Sequence, residues 1–194
     1  MTGSRQLHTA MRAMLIGPIL LSCVGSWAEA KDPMPPSIPN LKGRAAECRD
    51  VLKRSITDFY LPACVDRKHG GYLEMLGDGK FVPRGEKFLT LQARQLWFFS
   101  TLAHKGLERE AALDAAKSGY LFLRDKFHDR KHGGYFAQVA DDGRPTDRRK
   151  HVYLNSFALY ALSAYYRATG DSEVLTAAQD LFRTMDTKCH DAAR

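Results

Sequence analysis

The sequence predicts an all-α fold: about half of a six-hairpin α/α barrel, with short β-hairpins at one rim. Three observations predict it. A seven-residue segment recurs at a long interval, helices with one polar side alternate with helices that are apolar all round, and short turn-forming segments join them. A period that holds two helices is typical of arrays of helical hairpins.

The recurring segment is Asp-Arg-Lys-His-Gly-Gly-Tyr, which occupies residues 66–72 and, 63 residues later, residues 129–135. A third copy begins at His190 and Asp191, 62 residues after the second, and the sequence ends at Arg194. We therefore expect a repeat array that is interrupted in its third copy, and a domain that is truncated about halfway round a barrel.

The first thirty residues predict a signal peptide rather than part of the fold. Arg5 and Arg12 flank the start of a short apolar run at residues 14–21, and residues 28–30, Ala-Glu-Ala, fit a signal peptidase site. The apolar run is too short to predict a membrane span. The alternative is lipoprotein processing, which would leave a lipid anchor on Cys23.

Residues 31–40 contain four prolines, a density that predicts an extended linker. We expect the ordered domain to cover residues 41–194. Export predicts a periplasmic or secreted protein, with no membrane attachment after signal cleavage unless Cys23 carries a lipid.

The exported part contains Cys48, Cys64 and Cys189, whose spacing matches no zinc site. One disulfide would suit an exported protein, but we favour unpaired thiols. The net charge is +7, and the basic residues are scattered without interleaved aromatics, which argues against a nucleic-acid partner. This charge favours solubility and attraction to anionic sugars.

Each repeat contains the same parts in the same order, starting with an amphipathic helix. Residues 109–127 are the clearest example, because apolar residues fall on one face and charged residues on the other. The paired glycines of the repeated segment then predict positive φ, and its aspartate predicts hydrogen bonds from nearby backbone amides. Short strands at 72–75 and 135–139 follow, with Asp-Gly hairpin turns at 78–79 and 142–143.

The second helix of each repeat is apolar on every side. Residues 88–103 include Trp-Phe-Phe and residues 151–167 include Phe-Ala-Leu-Tyr-Ala-Leu, whereas residues 172–185 begin another helix with one polar side. A helix that is apolar all round is surrounded by protein. The alternation therefore predicts two concentric layers, with the apolar helices inside. A linear solenoid is the alternative, but it does not need such uniformly apolar helices.

Three segments occur together: residues 66–74 with Gly-Gly-Tyr, residues 92–100 with Arg-Gln-Leu-Trp-Phe-Phe-Ser, and residues 150–171, which end in Tyr-Tyr-Arg-Ala-Thr-Gly-Asp. In this combination the chain resembles the amino-terminal half of the N-acylglucosamine 2-epimerase family, which includes cellobiose 2-epimerases and aldose–ketose isomerases. The resemblance covers essentially all of residues 41–194. It implies a six-hairpin α/α barrel and inversion or isomerisation of a small-molecule reducing sugar at C2.

The resemblance also implies three substrate-binding residues, Arg94, Tyr153 and Asn155. Arg94 lies among apolar residues of the first inner helix, where a guanidinium needs a partner: either sugar oxygens or a loop carboxylate such as Glu74 or Glu86. Tyr153 and Asn155 start the second inner helix. Asn155 bonds hydroxyls but transfers no proton, and the alternative is that it bonds backbone while Tyr153 satisfies a neighbour.

In the family, two histidines on later inner helices move the proton beside the sugar carbonyl. The resemblance therefore implies no catalytic residue in this chain, and no metal or cofactor, since acid–base groups of near-neutral pKa suffice. His69 and His132 follow from the repeat, and no arrangement around His104, His128 or His190 predicts catalysis. We expect an inactive or incomplete epimerase.

Two other functions remain open. One is a non-catalytic half-barrel that binds a sugar, or associates with itself through uncovered inner helices. The other is a remnant of an α/α-barrel glycoside hydrolase, which needs two carboxylates. Glu74 and Asp66 are the carboxylates at the predicted rim that suggest it.

Overall fold

The computed structural model of the protein describes residues 38–189. The predicted signal peptide, the alternative lipid site at Cys23, linker residues 31–37 and the start of the third repeat copy all lie outside the described residues.

The first described helix, α1 (Ile38–Val51), begins before the predicted linker ends. Pro39 and Asn40, expected in an extended segment, are helical. A proline fits the first turn of a helix, because its missing N–H has no intrahelical partner there. The chain divides into two units between Ala45 and Ala46, and the described part of the first unit is helical.

The second unit contains the repeats. A π-helical turn and a short helix α2 come first, and four long helices follow: Leu52–Thr57, α2 Asp58–Tyr60, α3 Leu89–His104, α4 Arg109–Phe122 with a π-helical extension Leu123–Phe127, α5 Val152–Thr169, α6 Ser172–Cys189. The four long helices confirm those predicted from the sequence, with ends that shift by at most four residues. Helix α4 and its extension match the predicted span of the amphipathic helix.

Short strands lie between the helices: β1 Glu74–Met75, β2 Phe81–Val82, β3 Glu86–Phe88, β4 Gln138–Ala140, β5 Pro145–Asp147. Strands β1 and β2 form one antiparallel hairpin. Strand β3 of the first repeat pairs with β4 of the second, which also pairs with β5, so a three-stranded sheet joins the two repeats. The predicted strands are shorter than expected, because Tyr72 and Tyr135 make only single bridges, to Val65 and His128.

Helices α3 and α5 pack side by side, with α4 against α3 and α6 against α5. Leu96, Phe99 and Leu162 are fully buried at these contacts. This arrangement confirms an inner pair and an outer pair of helices. Part of the inner helices is nevertheless uncovered in the described structure, since Tyr153 and Tyr160 are exposed.

Cys48, Cys64 and Cys189 are all free thiols, and only Cys64 is buried. Burial raises the pKa of Cys64 to about 12. Because the thiolate is the reactive form, Cys64 acts as a small packing residue. None of the helices within residues 38–189 combines the length and the apolar character needed to cross a bilayer.

Candidate functional site

The first repeated loop is organised by the carboxylate of Asp66. Its Oδ1 accepts hydrogen bonds from the amides of Lys68 at 2.9 Å and His69 at 3.0 Å. Its Oδ2 lies 2.7 Å from the Nζ of Lys87, at the start of the inner helix. Gly70 and Gly71 both have positive φ, as predicted. The loop is therefore fixed to the first inner helix by an ion pair.

The second repeated loop uses the same bonds. Oδ1 of Asp129 accepts from the amides of Lys131 at 2.9 Å and His132 at 3.1 Å, and Oδ2 lies 2.5 Å from Nζ of Lys150. The hydrogen bond from Lys150 lowers the pKa of Asp129 to about 2, and the two loop amides contribute to the same effect. The predicted amide bonds to both aspartates are thus confirmed.

A side-chain amide fastens the tyrosine that ends each loop. Oε1 of Gln92 accepts from the Tyr72 amide at 2.8 Å, and its Nε2 donates to the Tyr72 carbonyl at 2.8 Å. Asn155 repeats this pattern on Tyr135, with distances of 2.8 and 3.2 Å. Gln92 and Asn155 are 63 residues apart, one full period. We call these two pairs the amide clamps.

The clamp explains where the structure places Asn155. The residue is 4% exposed, and its Nδ2 also donates to the carbonyl of His151 at 3.1 Å. These contacts are those of the structural alternative, in which Asn155 bonds backbone. Its role as a sugar ligand stays a prediction.

Tyr153 is 69% exposed at the start of α5, with its ring edge-on to Phe157 at 5.1 Å. Its hydroxyl makes no hydrogen bond to another described residue. A role for Tyr153 in sugar binding therefore also stays a prediction, but its side chain is accessible to a ligand.

Arg94 lines a cavity of about 680 Å³ beside the amino-terminal half of α3. Glu74 and Gln95 contribute polar groups to this cavity, and Tyr60 and Trp97 contribute aromatic rings. Arg94 is exposed rather than embedded, which corrects the expectation from its apolar neighbours. Across the described residues it forms no ion pair with Glu74, Glu86 or any other carboxylate.

The structure does not bring the three predicted sugar ligands together. Neither Tyr153 nor Asn155 lines the Arg94 cavity. Asn155 instead borders a cavity of about 230 Å³ between the second loop and α6. Sequence reasoning missed Gln92, although aligning Gln92 with Asn155 on the period would have indicated a shared role.

The two rim carboxylates do not form a hydrolase pair. Asp66 is buried against Lys87. Burial by itself raises the pKa of Asp66, but the hydrogen bond from Lys87 and those from the loop amides outweigh it and hold the pKa below its ordinary value. Because Asp66 stays ionised and bonded, it is a poor general acid. Only Glu74 of this pair lines the Arg94 cavity.

The histidines lie away from the Arg94 cavity. His69 lies 3.5 Å from Asp66, and Nδ1 of His104 lies 3.0 Å from the Arg167 carbonyl. His128 packs on the Tyr135 ring, and its burial lowers its pKa. Within residues 38–189, no group of His, Cys, Asp and Glu side chains is placed to hold a metal ion.

Comparison with known proteins adds to this geometry. Residues 70–194 match the profile of the N-acylglucosamine 2-epimerase (GlcNAc 2-epimerase) family. The chain is 36% identical to a cellobiose 2-epimerase of Dictyoglomus turgidum over 77% of its length, which is 38% of that relative. It is 31% identical to the Homo sapiens N-acylglucosamine 2-epimerase over 65% of its length, and 30% of that relative.

The structure superposes on that of cellobiose 2-epimerase from Spirochaeta thermophila with a TM-score of 0.71 and 37% identity, over 77% of this chain and 37% of the other. The architecture is therefore part of an (α/α)6 barrel, as predicted. The chain spans less than two fifths of the length of these relatives. On the profile, the sequence identities and the fold together, the chain belongs to the N-acylglucosamine 2-epimerase family.

Proposed function

We propose that this chain provides the sugar-binding part of a 2-epimerase that acts on a reducing sugar of the cellobiose, mannose or N-acylglucosamine type. Family membership supports the reaction class. The observation that carries the proposal for this chain is Arg94, a guanidinium without a carboxylate partner among the described residues, at the wall of the 680 Å³ cavity.

The Arg94 cavity has the chemistry that a sugar needs. A guanidinium donates several hydrogen bonds in a fixed fork, which suits hydroxyl and carbonyl oxygens. Glu74 offers acceptors for sugar hydroxyls, and the rings of Trp97 and Tyr60 offer apolar faces for sugar C–H groups. The volume falls within the range of ordinary small-molecule sites.

Proton transfer at C2 requires groups that this cavity does not have. Epimerisation removes the C2 proton beside the open-chain carbonyl and returns one to the opposite face, while donors stabilise the enolate oxygen. Arg94 is placed to be such a donor. No histidine within residues 38–189 lines the cavity. In our proposal the proton-transfer histidines belong to the part of the family fold that the described residues do not match, and residues 38–189 bind sugar without turning it over.

Binding and turnover are tested separately with the full chain. Trp97 lines the cavity, so its fluorescence should change on titration with cellobiose, mannose or N-acetylmannosamine once Trp27 is replaced by Phe. Arg94→Ala should weaken the response about tenfold, the size of a charged hydrogen bond. Arg67→Ala is the matched control, because Arg67 is equally exposed but pairs with Asp114. Equal affinity in both variants contradicts the role of Arg94.

Turnover is measured by chromatography of the same sugars after long incubation with the chain. We expect no 2-epimer above the rate without protein. Epimer formation that Arg94→Ala abolishes would show that the chain is a complete enzyme, and would overturn the proposal that proton transfer lies elsewhere.

We also propose that the protein is exported to the periplasm or secreted. The charged start, the apolar run and the Ala-Glu-Ala segment support this. Mass spectrometry of the protein from its native cells should give a chain that begins at Lys31. A chain that begins with lipidated Cys23 would instead support the lipoprotein alternative, and an uncut chain would contradict export.

A second candidate role, self-association, is favoured by one contact. The rings of Trp97 and Tyr160 stack at 5.1 Å, and these residues are one period apart. Tyr160 is still exposed, so Trp97 of a second copy can stack on it as the next member of the same series. Light scattering should show a concentration-dependent dimer that Tyr160→Ser weakens and Phe182→Ser, an exposed control on α6, does not. A monomer at all concentrations contradicts this role.

A further inference from the structure

A second cleft, of about 440 Å³, lies outside the Arg94 cavity, between α4, the second repeated loop and α6. We call it the outer cleft. The rings of Tyr120 and Tyr135 line it, and polar groups come from Glu173, Thr176 and Thr184. It does not share a lining residue with the Arg94 cavity.

The equivalent positions of the first repeat are more apolar. His128 of the cleft corresponds to the buried Val65, and Thr176 corresponds to Leu113, which packs on the core. Ala177 corresponds to Asp114, which forms an ion pair with Arg67 of the first loop at 2.9 Å. That ion pair joins the loop to α4 in the first repeat, whereas alanine at 177 leaves no such connection to α6.

The two loop tyrosines differ in a way that points to a ligand. The hydroxyl of Tyr72 donates to the carbonyl of Ala115 at 3.0 Å. Tyr135 is also buried, at 4% exposure, but its hydroxyl has no hydrogen-bond partner among the described residues. A buried hydroxyl without a partner is costly, and a ligand in the cleft can supply one.

A glycine explains why only the first tyrosine reaches its carbonyl. A Cβ added at Gly119 would lie 2.2 Å from the Tyr72 hydroxyl, so the bond to Ala115 depends on that glycine. One period later the position is Phe182. The Tyr135 hydroxyl therefore lacks the space that Tyr72 uses.

The charges around the outer cleft balance. Four cations and four carboxylates lie at it or pair with its lining residues: Arg124, Arg130, Lys150, Arg183 and Asp125, Asp129, Asp180, Glu173. Six or more of these charges are already in ion pairs with one another. A neutral ligand is therefore favoured over an anion such as a phosphate.

The threonines add acceptors. The hydroxyl of Thr176 donates to the Ser172 carbonyl at 3.0 Å and that of Thr184 to the Asp180 carbonyl at 2.8 Å, so each oxygen keeps lone pairs for a ligand hydroxyl. Glu173 has no ion-pair partner in the described part of the chain. Aromatic faces beside such acceptors suit a molecule with apolar C–H faces and many hydroxyls.

We propose that the outer cleft is a second binding site, for a neutral mono- or disaccharide, in which the Tyr135 hydroxyl bonds a sugar hydroxyl. The site is separate from the Arg94 cavity, and the proposal does not rest on the role of Arg94. It gives the chain two places for saccharide, one inside the helical layer and one at its outer rim.

The test follows threonine methyl signals by NMR in the full chain during titration with cellobiose and with mannose. We expect saturable shifts of the Thr176 and Thr184 signals. Tyr135→Phe should weaken the affinity read from them about threefold to tenfold, the range for one hydrogen bond. Tyr72→Phe is the matched control, which should lower the melting temperature and leave the affinity unchanged.

A second variant rebuilds the first repeat in the second. Thr176→Leu with Ala177→Asp places the residues of Leu113 and Asp114 opposite Arg130, and should abolish the threonine-184 shift while Trp97 fluorescence still responds to sugar. Absence of saturable shifts, or shifts that Tyr135→Phe and the double variant leave intact, overturns the proposal. Loss of the Trp97 response alone would count against the Arg94 cavity instead.

Discussion

The two repeated loops share seven identical residues and the same hydrogen bonds, yet they lie in different surroundings. Lys87, which pairs with Asp66 of the first loop, is 2% exposed, whereas Lys150, which pairs with Asp129 of the second, is 26% exposed. Local sequence thus determines which atoms bond. The neighbouring helices determine how strongly water competes with those bonds.

The neighbours of the first loop are bulky. Nζ of Lys87 also donates to the Gly70 carbonyl at 2.6 Å and lies 4.4 Å from the ring of Phe122. A Cβ at Gly71 would lie 2.9 Å from that same ring and closer still to Gln92. The second loop has Met185 in place of Phe122. The first loop is therefore a closed structural element, and the second is open enough to border three cavities.

The largest expected difference concerns the two lysines. Lys87→Met should lower the free energy of unfolding by about 3 kcal/mol, because it leaves the Asp66 carboxylate buried without its cation. Lys150→Met should cost about 1 kcal/mol or less, because water reaches Asp129 and Lys150. Urea unfolding at neutral pH measures both. Equal losses would show that the difference in burial has no energetic consequence.

The amide clamps should resemble each other more closely. Gln92→Leu and Asn155→Leu each leave a buried tyrosine amide and carbonyl without partners, at a cost of about 2–3 kcal/mol. The same unfolding measurement applies. If Asn155→Leu instead weakens sugar binding and leaves stability unchanged, Asn155 is a sugar ligand and not a clamp. Ser156→Leu, at an exposed neighbouring position, is the control.

Much of the fold could be predicted because its signals are local. Helix periodicity, paired glycines and the capping aspartates act within a few residues, and helices α3 to α6 and both loops follow from them. The clamps could not be found this way, because Gln92 and Asn155 bond backbone 20 residues away and differ in residue type. Pairing of β3 with β4 joins different repeats and has no local signal.

The candidate site was predicted in part. The period places Arg94 at the start of an inner helix, but its neighbours in sequence suggested a buried cation, and it is exposed in a cavity. Whether a side chain beside apolar residues meets protein or open space depends on other helices. The same limit applies to the Tyr135 hydroxyl, since its sequence context is identical to that of Tyr72.

A smaller effect is expected where glycine and phenylalanine occupy the same place in the two repeats. Gly119→Ala puts a methyl group into the space of the Tyr72 hydroxyl, and should cost about 1–3 kcal/mol although alanine favours the helix. Phe182→Ala, at an exposed position, should change stability by about 0.5 kcal/mol or less. A stabilised Gly119→Ala variant would contradict the close approach of Tyr72 to α4. Thermal unfolding is sufficient to rank the two.

The smallest effect is the acid dependence of the second loop. The pKa of Asp129 is about 2 in the folded protein, below its value of about 4 in an unfolded chain. A carboxylate with a lowered pKa contributes stability above pH 4, and that contribution is lost as the pH falls from about 4 to 2. Because Asp129 pairs with a partly exposed lysine, we expect its share to be about 1 kcal/mol or less.

The measurement is the urea midpoint of wild type, Asp129→Asn and Asp186→Asn between pH 7 and pH 2. Asp129→Asn should be less stable than wild type at neutral pH and should approach it in acid, because protonation removes the same ion pair from wild type. Asp186, exposed on α6, serves as the control, and its variant should follow the wild-type curve. A gap between wild type and Asp129→Asn that persists in acid would mean that Asp129 acts through packing, and that its bond to Lys150 contributes little in the more open loop.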